Sequence, residues 1–191
     1  MFIGREAELA FLKDKYEEER GQLVVLYGRR RVGKTETLRE FCKGKPHVFF
    51  SCTQCADKVQ LGRFSKQLLK ENIPAAQYIS EFSDWEKAFR AILELPYGDK
   101  KKLIIVDEFP YMCKGNAAIP SILQNLWDEA LKDSNVMIIL CGSAMSFIEK
   151  ELLAEKNPLY GRATGIYKMR EMGFYDACKF FPDYTAREKV V

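Results

Sequence analysis

Three short apolar runs constrain the fold of this 191-residue chain more than any other feature. They cover residues 23–27, 103–106 and 136–141, and no polar residue interrupts them. Uninterrupted apolar runs of this length are typical of strands buried on both faces, as in parallel sheets covered by helices. Ligands bind such sheets at the carboxyl ends of the strands. The residues that directly follow the three runs are therefore the first candidates for a functional site.

Helical patterns alternate with these strands along the chain. Apolar residues recur at spacings of three and four in segments that we expect to be helices: 5–19, 35–41, 59–69, 85–93, 119–130, 145–152 and 174–181. Two further strands are expected at 47–51 and 166–169. We find no internal repeat and no linker, and the length suits one domain. The sequence predicts a single α/β domain over residues 1–191, with a central parallel sheet and helices on both faces.

Composition excludes several classes of protein. Hydrophobic residues make up 47% and charged residues 30%, which argues against disorder, and a net charge of +3 is too small to indicate a nucleic-acid partner. No apolar run approaches the roughly 20 residues of a membrane span, and the N-terminus has no secretion signal. Cys52 and Cys55 form a lone CxxC pair with His47 as the only histidine, so we expect reduced thiols. These features together predict a cytoplasmic protein without a membrane partner.

A glycine-rich loop directly follows the first apolar run, with the sequence Gly28-Arg29-Arg30-Arg31-Val32-Gly33-Lys34-Thr35. It fits the P-loop pattern GxxxxGK[ST], in which glycines allow close backbone approach and backbone N–H groups bind phosphate at a helix N-terminus. Lys34 is expected to reach the β- and γ-phosphates, and the Thr35 hydroxyl to bind Mg²⁺. We predict nucleotide contacts from the loop and the residue after it: Gly28, Arg31, Val32, Gly33, Lys34, Thr35 and Glu36.

The alternative for this loop is a glycine turn without a ligand-binding role, in which the basic residues occur by chance. Two roles are open for the arginines of the loop, Arg29, Arg30 and Arg31: they contact phosphate, or they are solvated surface charges. Side chains between the two glycines of such loops usually point away from the ligand. That tendency favours solvated surface charge for the three guanidinium groups.

Two acids end the second buried run, at Asp107 and Glu108. A P-loop protein needs a carboxylate to hold the metal ion, and we assign that role to Asp107. Glu108 is a candidate general base that polarises the water attacking the γ-phosphate. The alternative is that both acids only cap the segment that follows.

Two further polar residues are catalytic candidates. Ser143 follows the run 136–141 and could sense the γ-phosphate or orient water, although serine is also a good N-cap for the next helix. Arg162 could supply positive charge to the transition state, either in cis or in trans, or could serve as a structural ion-pair residue.

Five segments together resemble the archaeal-type ATPase family, which is related to the AAA+ and STAND ATPases: Phe2-Ile3-Gly4-Arg5-Glu6-Ala7-Glu8-Leu9, the P-loop with Tyr27, Ile105-Val106-Asp107-Glu108-Phe109-Pro110-Tyr111, Leu140-Cys141-Gly142-Ser143 and Pro158-Leu159-Tyr160-Gly161-Arg162. The resemblance implies an additional-strand core, in which the Ser143 strand separates the acid strand from the P-loop strand. It also implies that Ile3, Gly4 and Arg5 lie near adenine.

Members of this family generally continue into a helical or winged-helix region after the ATPase domain. They typically carry a Gly-Gly-x-Pro turn after the stretch equivalent to residues 181–189, and this chain stops before such a turn. The resemblance therefore implies a truncated ATPase domain, with clients bound through a region beyond it.

The leading functional hypothesis is Mg²⁺-dependent ATP hydrolysis, used as a conformational motor or switch. A second hypothesis is a slow or non-hydrolysing nucleotide-gated scaffold that recruits DNA or protein partners. A small-molecule kinase fits less well, because no acceptor-binding lid is evident after Glu108. Assembly into a homo-oligomer is a further expectation, and DNA binding is implied by the resemblance alone.

Overall fold

The computed structural model describes residues 2–185, whose centre is a five-stranded parallel sheet. The strands are β1 (Gln22–Tyr27), β2 (His47–Ser51), β3 (Lys102–Asp107), β4 (Val136–Gly142) and β5 (Gly165–Lys168). Their order is β2-β3-β4-β1-β5, and each neighbouring pair is parallel. Strand β4 lies between the acid strand β3 and the P-loop strand β1. The predicted additional-strand order is thereby confirmed.

Helices connect the strands: α1 (Glu6–Glu17), α2 (Lys34–Cys42), α3 (Asp57–Leu69), α4 (Trp85–Arg90), α5 (Phe109–Gly115), α6 (Ile119–Glu129), α7 (Met145–Phe147) and α8 (Phe174–Cys178). Short 3₁₀ turns occur at Pro74–Gln77, Ala91–Glu94 and Leu131–Asp133, and a π turn at Ile148–Leu152. Each predicted strand and helix is found within a few residues of its expected bounds.

The helices form two layers because successive side chains of a buried strand point to opposite faces. Leu23 and Val25 of β1 pack in a core with residues of α3, α4, α5 and α6. Val24 and Leu26 pack in a second core with residues of α1 and α2. Every residue of β1 is buried, and this burial explains the uninterrupted apolar run at residues 23–27. The predicted arrangement of helices on both faces of the sheet is confirmed.

Several helices differ from the periodicity-based expectations. The segment 85–93 is a short α-helix followed by a 3₁₀ turn, and 145–152 is one short helix continued by a π turn. Helix α8 ends at Cys178, before the expected residue 181. Helix α5 is not predicted from the sequence, although Pro110 in its first turn is a typical helix-start signal. It begins directly after the two acids and so determines where the backbone of Glu108 turns.

Within residues 2–185, no helix is long and apolar enough to cross a membrane. All six cysteines are free thiols, and Cys55 and Cys178 are the partly exposed ones. Residues 186–189, the last part of the stretch 181–189 that precedes the family's C-terminal turn, lie outside the described residues.

Candidate functional site

The glycine-rich loop leaves the carboxyl end of β1 and enters α2 at Lys34. Gly28 is needed for close approach, because a Cβ at this position would lie 2.4 Å from the carbonyl oxygen of Met169. The backbone N–H of Met169 donates to the carbonyl of Tyr27 over 2.7 Å, which holds the chain after β5 against the start of the loop. Gly33 has φ 88°, a left-handed conformation that favours glycine, immediately before α2.

Lys34 lies inside the loop and is only 6% exposed. Its ammonium donates hydrogen bonds to the carbonyl oxygens of Gly28 over 2.9 Å and Arg29 over 2.8 Å. The N-terminus of α2 adds unpaired N–H groups and the positive end of the helix dipole. A buried cation, backbone N–H groups and a helix N-terminus together form an arrangement suited to phosphate binding.

Thr35 and Asp107 meet across the carboxyl ends of the strands. The Thr35 hydroxyl donates to Oδ2 of Asp107 over 2.8 Å, and Oδ1 of Asp107 accepts from the backbone N–H of Glu108 over 3.1 Å. Burial, and next the negative charge of Asp107, raise the pKa of the neighbouring Cys141 thiol well above its usual range. A hydroxyl and a carboxylate are oxygen donors of the kind that Mg²⁺ prefers, so these residues fit that ion.

Glu108 and Ser143 form a second link between neighbouring strands. Oε2 of Glu108 accepts hydrogen bonds from the Ser143 hydroxyl over 3.1 Å and from its backbone N–H over 3.3 Å. Glu108 has φ 53° and ψ 42°, a left-handed conformation that is uncommon for a residue other than glycine. The N-cap of α7 is Ala144, with no side-chain capping bond. The Ser143 hydroxyl is therefore directed at Glu108 and does not cap the next helix.

One cavity of about 520 Å³ opens between the P-loop and the ends of β3 and β4. We call it the acidic-strand cavity, and its walls bring together the predicted residues Lys34, Thr35, Glu108 and Ser143. Tyr111 also lines it, from the first turns of α5, and was missed by the sequence analysis. Its proximity follows from the turn at Glu108, which no local pattern reveals.

A second cavity, of about 680 Å³, lies on the other side of the loop. We call it the N-terminal cavity because the predicted residues Ile3 and Arg5 line it, together with loop residues from Arg29 to Gly33. The opposite wall comes from the chain after β5: Glu171, Met172, Ala177 and Phe180. This wall was not predicted from the sequence, because its position depends on the pairing of β5 with β1.

Arg5 fastens the N-terminal segment to the P-loop. Its guanidinium donates to Oε1 of Glu8 over 2.8 Å, to the carbonyl of Arg170 over 2.9 Å and to the carbonyl of Val32 over 2.5 Å. Gly4, at φ 70°, lies beside α8, where a Cβ would approach Asp176 to 3.3 Å. The guanidinium is thus occupied by protein groups, and Arg5 shapes the N-terminal cavity by positioning its neighbours.

Arg162 lies away from both cavities. Its guanidinium forms an ion pair with Asp128, with Nη2 at 2.6 Å from Oδ2, and donates to the carbonyl of Pro158 over 2.9 Å. Arg162 is absent from the walls of both cavities, as formed by residues 2–185. In this chain the structure shows the ion-pair arrangement, one of the two readings that the sequence left open.

Comparison with known proteins places this site in a family. A family model described as an ATPase domain predominantly from Archaea matches residues 2–189. An uncharacterised protein of Methanocaldococcus jannaschii is 32% identical over 190 residues, which are 100% of this chain and 40% of that protein. An uncharacterised ATP-binding protein of the same organism is 49% identical over 45 residues, 24% of this chain and 76% of that protein. The chain thus spans less than half of the longer relative.

Solved structures of low sequence identity share the fold. The Walker-type ATPase PABY2304 of Pyrococcus abyssi superimposes with a TM-score of 0.71 at 20% identity, covering 95% of this chain and 57% of that one. The Aeropyrum pernix ORC1 protein, solved in complex with DNA, gives a TM-score of 0.64 at 13% identity, covering 95% and 49%. These likenesses agree with the fold described above. The chain belongs to the family of ATPase domains found predominantly in Archaea.

Proposed function

We propose that this domain binds ATP with Mg²⁺ and hydrolyses it to ADP and phosphate, as a conformational motor or switch. The observation that carries the proposal is the acidic-strand cavity, whose walls include Lys34, Thr35, Glu108 and Ser143. Asp107 joins this set through its 2.8 Å hydrogen bond with Thr35. The groups that we propose for phosphate binding, metal binding and general-base catalysis thus lie at or beside one cavity, which supports phosphoryl transfer to water.

Each side chain has a distinct role in the proposal. Lys34 binds the β- and γ-phosphates from inside the loop, where burial strengthens its attraction for their charge. Thr35 and Asp107 would hold Mg²⁺, which when bound neutralises charge on the phosphates. Glu108 orients the attacking water and accepts its proton, and Ser143 holds the Glu108 carboxylate in place.

The N-terminal cavity is the proposed base site. Residues 2–5 and the chain after β5 supply apolar walls from Phe2, Ile3, Met172 and Phe180. Flat apolar surface suits a purine ring, and family membership favours adenine. Val32 and Gly33 border the same cavity, so a base bound there would lie next to the phosphate loop.

A phosphate-release assay on the chain with Mg²⁺ and ATP tests the proposal. Glu108→Gln preserves size and removes the base, so turnover is expected to fall about a hundredfold or more while ATP affinity is retained. The matched control is Glu155→Gln, an exposed acid on the surface after α7 that lines neither cavity. Equal turnover in Glu108→Gln and wild type would show that the base assignment is wrong.

A slow or non-hydrolysing scaffold is the second candidate, and one observation favours it. The Glu108 carboxylate already accepts two hydrogen bonds from Ser143, which compete with water for the same oxygen. Tight ATP binding with no measurable phosphate release would support this alternative. A nucleotide-dependent change in protease sensitivity would then be the readout of gating.

Partners are proposed from the wider comparison. The similar ORC1 protein was solved with DNA, and the relative that matches over the whole chain is longer than it, so we propose DNA or a protein client for a longer form. Gel shifts with that form at increasing salt test the DNA proposal, since phosphate contacts weaken as salt rises. A homo-oligomer, a catalytic role for Arg162 in cis or in trans, and a cytoplasmic location stay predictions from the sequence.

A further inference from the structure

Arg30 and Arg31 are the loop cations that the proposed mechanism leaves without a role. Both side chains are exposed, and within residues 2–185 neither has a hydrogen bond or an ion pair with another side chain or with the backbone. Arg29 differs, because its guanidinium lies 3.4 Å from Oε1 of Glu171. The two following guanidinium groups are therefore available to a ligand without losing a protein partner.

Their position links the two cavities on either side of the loop. Arg30 and Arg31 line both the N-terminal cavity and the acidic-strand cavity, whereas Arg29 lines only the first. A nucleotide with its base in one cavity and its last phosphate in the other would pass both residues. The phosphate chain is the part of the ligand that would lie at this crossing.

The backbone at Arg31 is unusual for an arginine. Its φ is 65°, in the left-handed region, where a residue with a side chain is uncommon. The next residue, Val32, is buried, and its carbonyl accepts the hydrogen bond from Arg5, which holds the loop in this conformation. Such backbone conformations persist at ligand-binding sites where the surrounding structure enforces them.

The charges around the crossing favour an anion. Glu36 is the carboxylate that borders both cavities, and it is already paired with Arg39 over 2.9 Å. Lys34 adds a third cation to the two arginines on the acidic-strand side. Guanidinium groups bind phosphate oxygens through paired hydrogen bonds, which are stronger than those between neutral groups.

We propose that Arg30 and Arg31 bind the phosphate chain through their side chains and make the site select ligands by their number of phosphates. Affinity then increases from nucleoside monophosphate to diphosphate to triphosphate. The increase is steeper than it would be if only the loop backbone and Lys34 bound the phosphates. The proposal departs from the sequence-based expectation that these two guanidinium groups are solvated, although Arg31 was among the residues predicted to contact the nucleotide. This inference rests on the proposed function, because that function identifies the ligand as a nucleotide.

The test measures dissociation constants of AMP, ADP and a non-hydrolysable ATP analogue at several salt concentrations. In Arg30→Gln/Arg31→Gln, affinity for the ATP analogue is expected to fall about tenfold or more, while AMP affinity changes far less. The salt dependence of triphosphate binding should also weaken, because two charged contacts are lost. Arg30→Lys/Arg31→Lys should recover part of the affinity, since it keeps the charge and loses the paired geometry.

The matched control is Arg20→Gln/Lys66→Gln, which removes the same charge from exposed positions outside both cavities, where neither side chain has an ion pair among residues 2–185. It is expected to bind all three nucleotides as wild type does. Thermal melting of each variant verifies folding, and the single variants replace the double variant if it does not fold. Unchanged triphosphate affinity and salt dependence in the loop variants, with wild type binding nucleotide, would overturn this inference alone. Absence of nucleotide binding by wild type would overturn the proposed function as well.

Discussion

The hydroxyl of Ser143 donates a hydrogen bond to Oε2 of Glu108 over 3.1 Å, joining the ends of two neighbouring strands. The backbone N–H of Ser143 donates to the same oxygen over 3.3 Å. The contact depends on close packing between β4 and α5. A Cβ added at Gly142 would lie 2.7 Å from Cδ of Pro110, so the absence of a side chain at Gly142 lets Pro110 approach the strand. The position of the proposed base is therefore controlled by the strand that lies between the acids and the P-loop.

Ser143→Ala tests whether Ser143 positions the Glu108 carboxylate. The change removes the hydroxyl bond and keeps the backbone bond, so we expect turnover to fall about tenfold, with ATP affinity within about twofold of wild type. Ser143→Thr keeps the hydroxyl and should restore part of the rate. Steady-state phosphate release and equilibrium binding separate the two effects. A variant faster than wild type would show instead that the bond restrains Glu108, which favours the slow-scaffold alternative.

Asp107→Asn tests the proposed metal ligands. The carboxylate accepts from Thr35 over 2.8 Å, and loss of its charge should weaken Mg²⁺ binding far more than binding of the nucleotide alone. We expect ATP affinity to become nearly independent of Mg²⁺, as measured by titration with and without the ion. Asp14→Asn, an exposed residue of α1, is the control and should keep the wild-type response. A full Mg²⁺ response in Asp107→Asn would contradict the assignment.

Gly28→Ala tests the close approach of the loop to the chain after β5. The added Cβ would lie 2.4 Å from the Met169 carbonyl oxygen, so one backbone segment must move. We expect a loss of roughly 1–3 kcal/mol in the free energy of unfolding. Gly173→Ala is the matched control, because nothing lies within 4 Å of its added Cβ. Urea denaturation compares the two, and equal stabilities would show that the contact is easily relieved.

Arg5→Ala tests the attachment of the N-terminal segment. Arg5 is 8% exposed and pairs with Glu8, whose side chain is 10% exposed, so removing the cation leaves a buried carboxylate without its partner. Loss of a partner from a buried pair costs about 3–5 kcal/mol, and we expect a destabilisation toward the lower end. Arg5→Ala/Glu8→Ala should be more stable than the single variant. If the double variant is the less stable of the two, the ion pair is not the cause.

Stability is expected to fall above pH 9 because of the Cys42 thiol. Burial raises the pKa of this thiol from 9.0 to about 11, and Lys45 opposes the shift only in part. Between these two pH values the unfolded chain loses the proton while the folded chain keeps it, so the folded state is progressively disfavoured. Melting temperatures measured from pH 8 to pH 11 should decline less steeply in Cys42→Ala than in wild type. Parallel declines would show that other groups dominate.

Local patterns in the sequence were sufficient for most of the secondary structure. The runs around Val24, Ile105 and Ile139 identified three buried strands, because a strand covered on both faces can carry apolar residues at every position. The P-loop pattern located Lys34 and Thr35 for a similar reason, since phosphate binding demands particular residues at adjacent positions. Helix α5 was missed because its start depends on the backbone turn at Glu108, which is uncommon for glutamate.

The family resemblance supplied what local patterns could not. It implied the order of the strands and the approach of Ile3 and Arg5 to the nucleotide site, and the strand order is confirmed. The N-terminal cavity does include both residues, but the guanidinium of Arg5 bonds to protein groups. Contact of either residue with a bound base stays a prediction.

The chain's residue pattern was enough to establish a parallel α/β domain with a P-loop and two acids at a strand end, because each feature arises from neighbours along the chain. The tertiary structure alone decided that Ser143 holds Glu108, that Arg162 pairs with Asp128, and that residues after β5 wall the N-terminal cavity. It also left Arg30 and Arg31 between the two cavities, without a hydrogen bond or an ion pair from their side chains within residues 2–185. These relationships join residues far apart in sequence, and only the packing of strands and loops brings them within bonding distance.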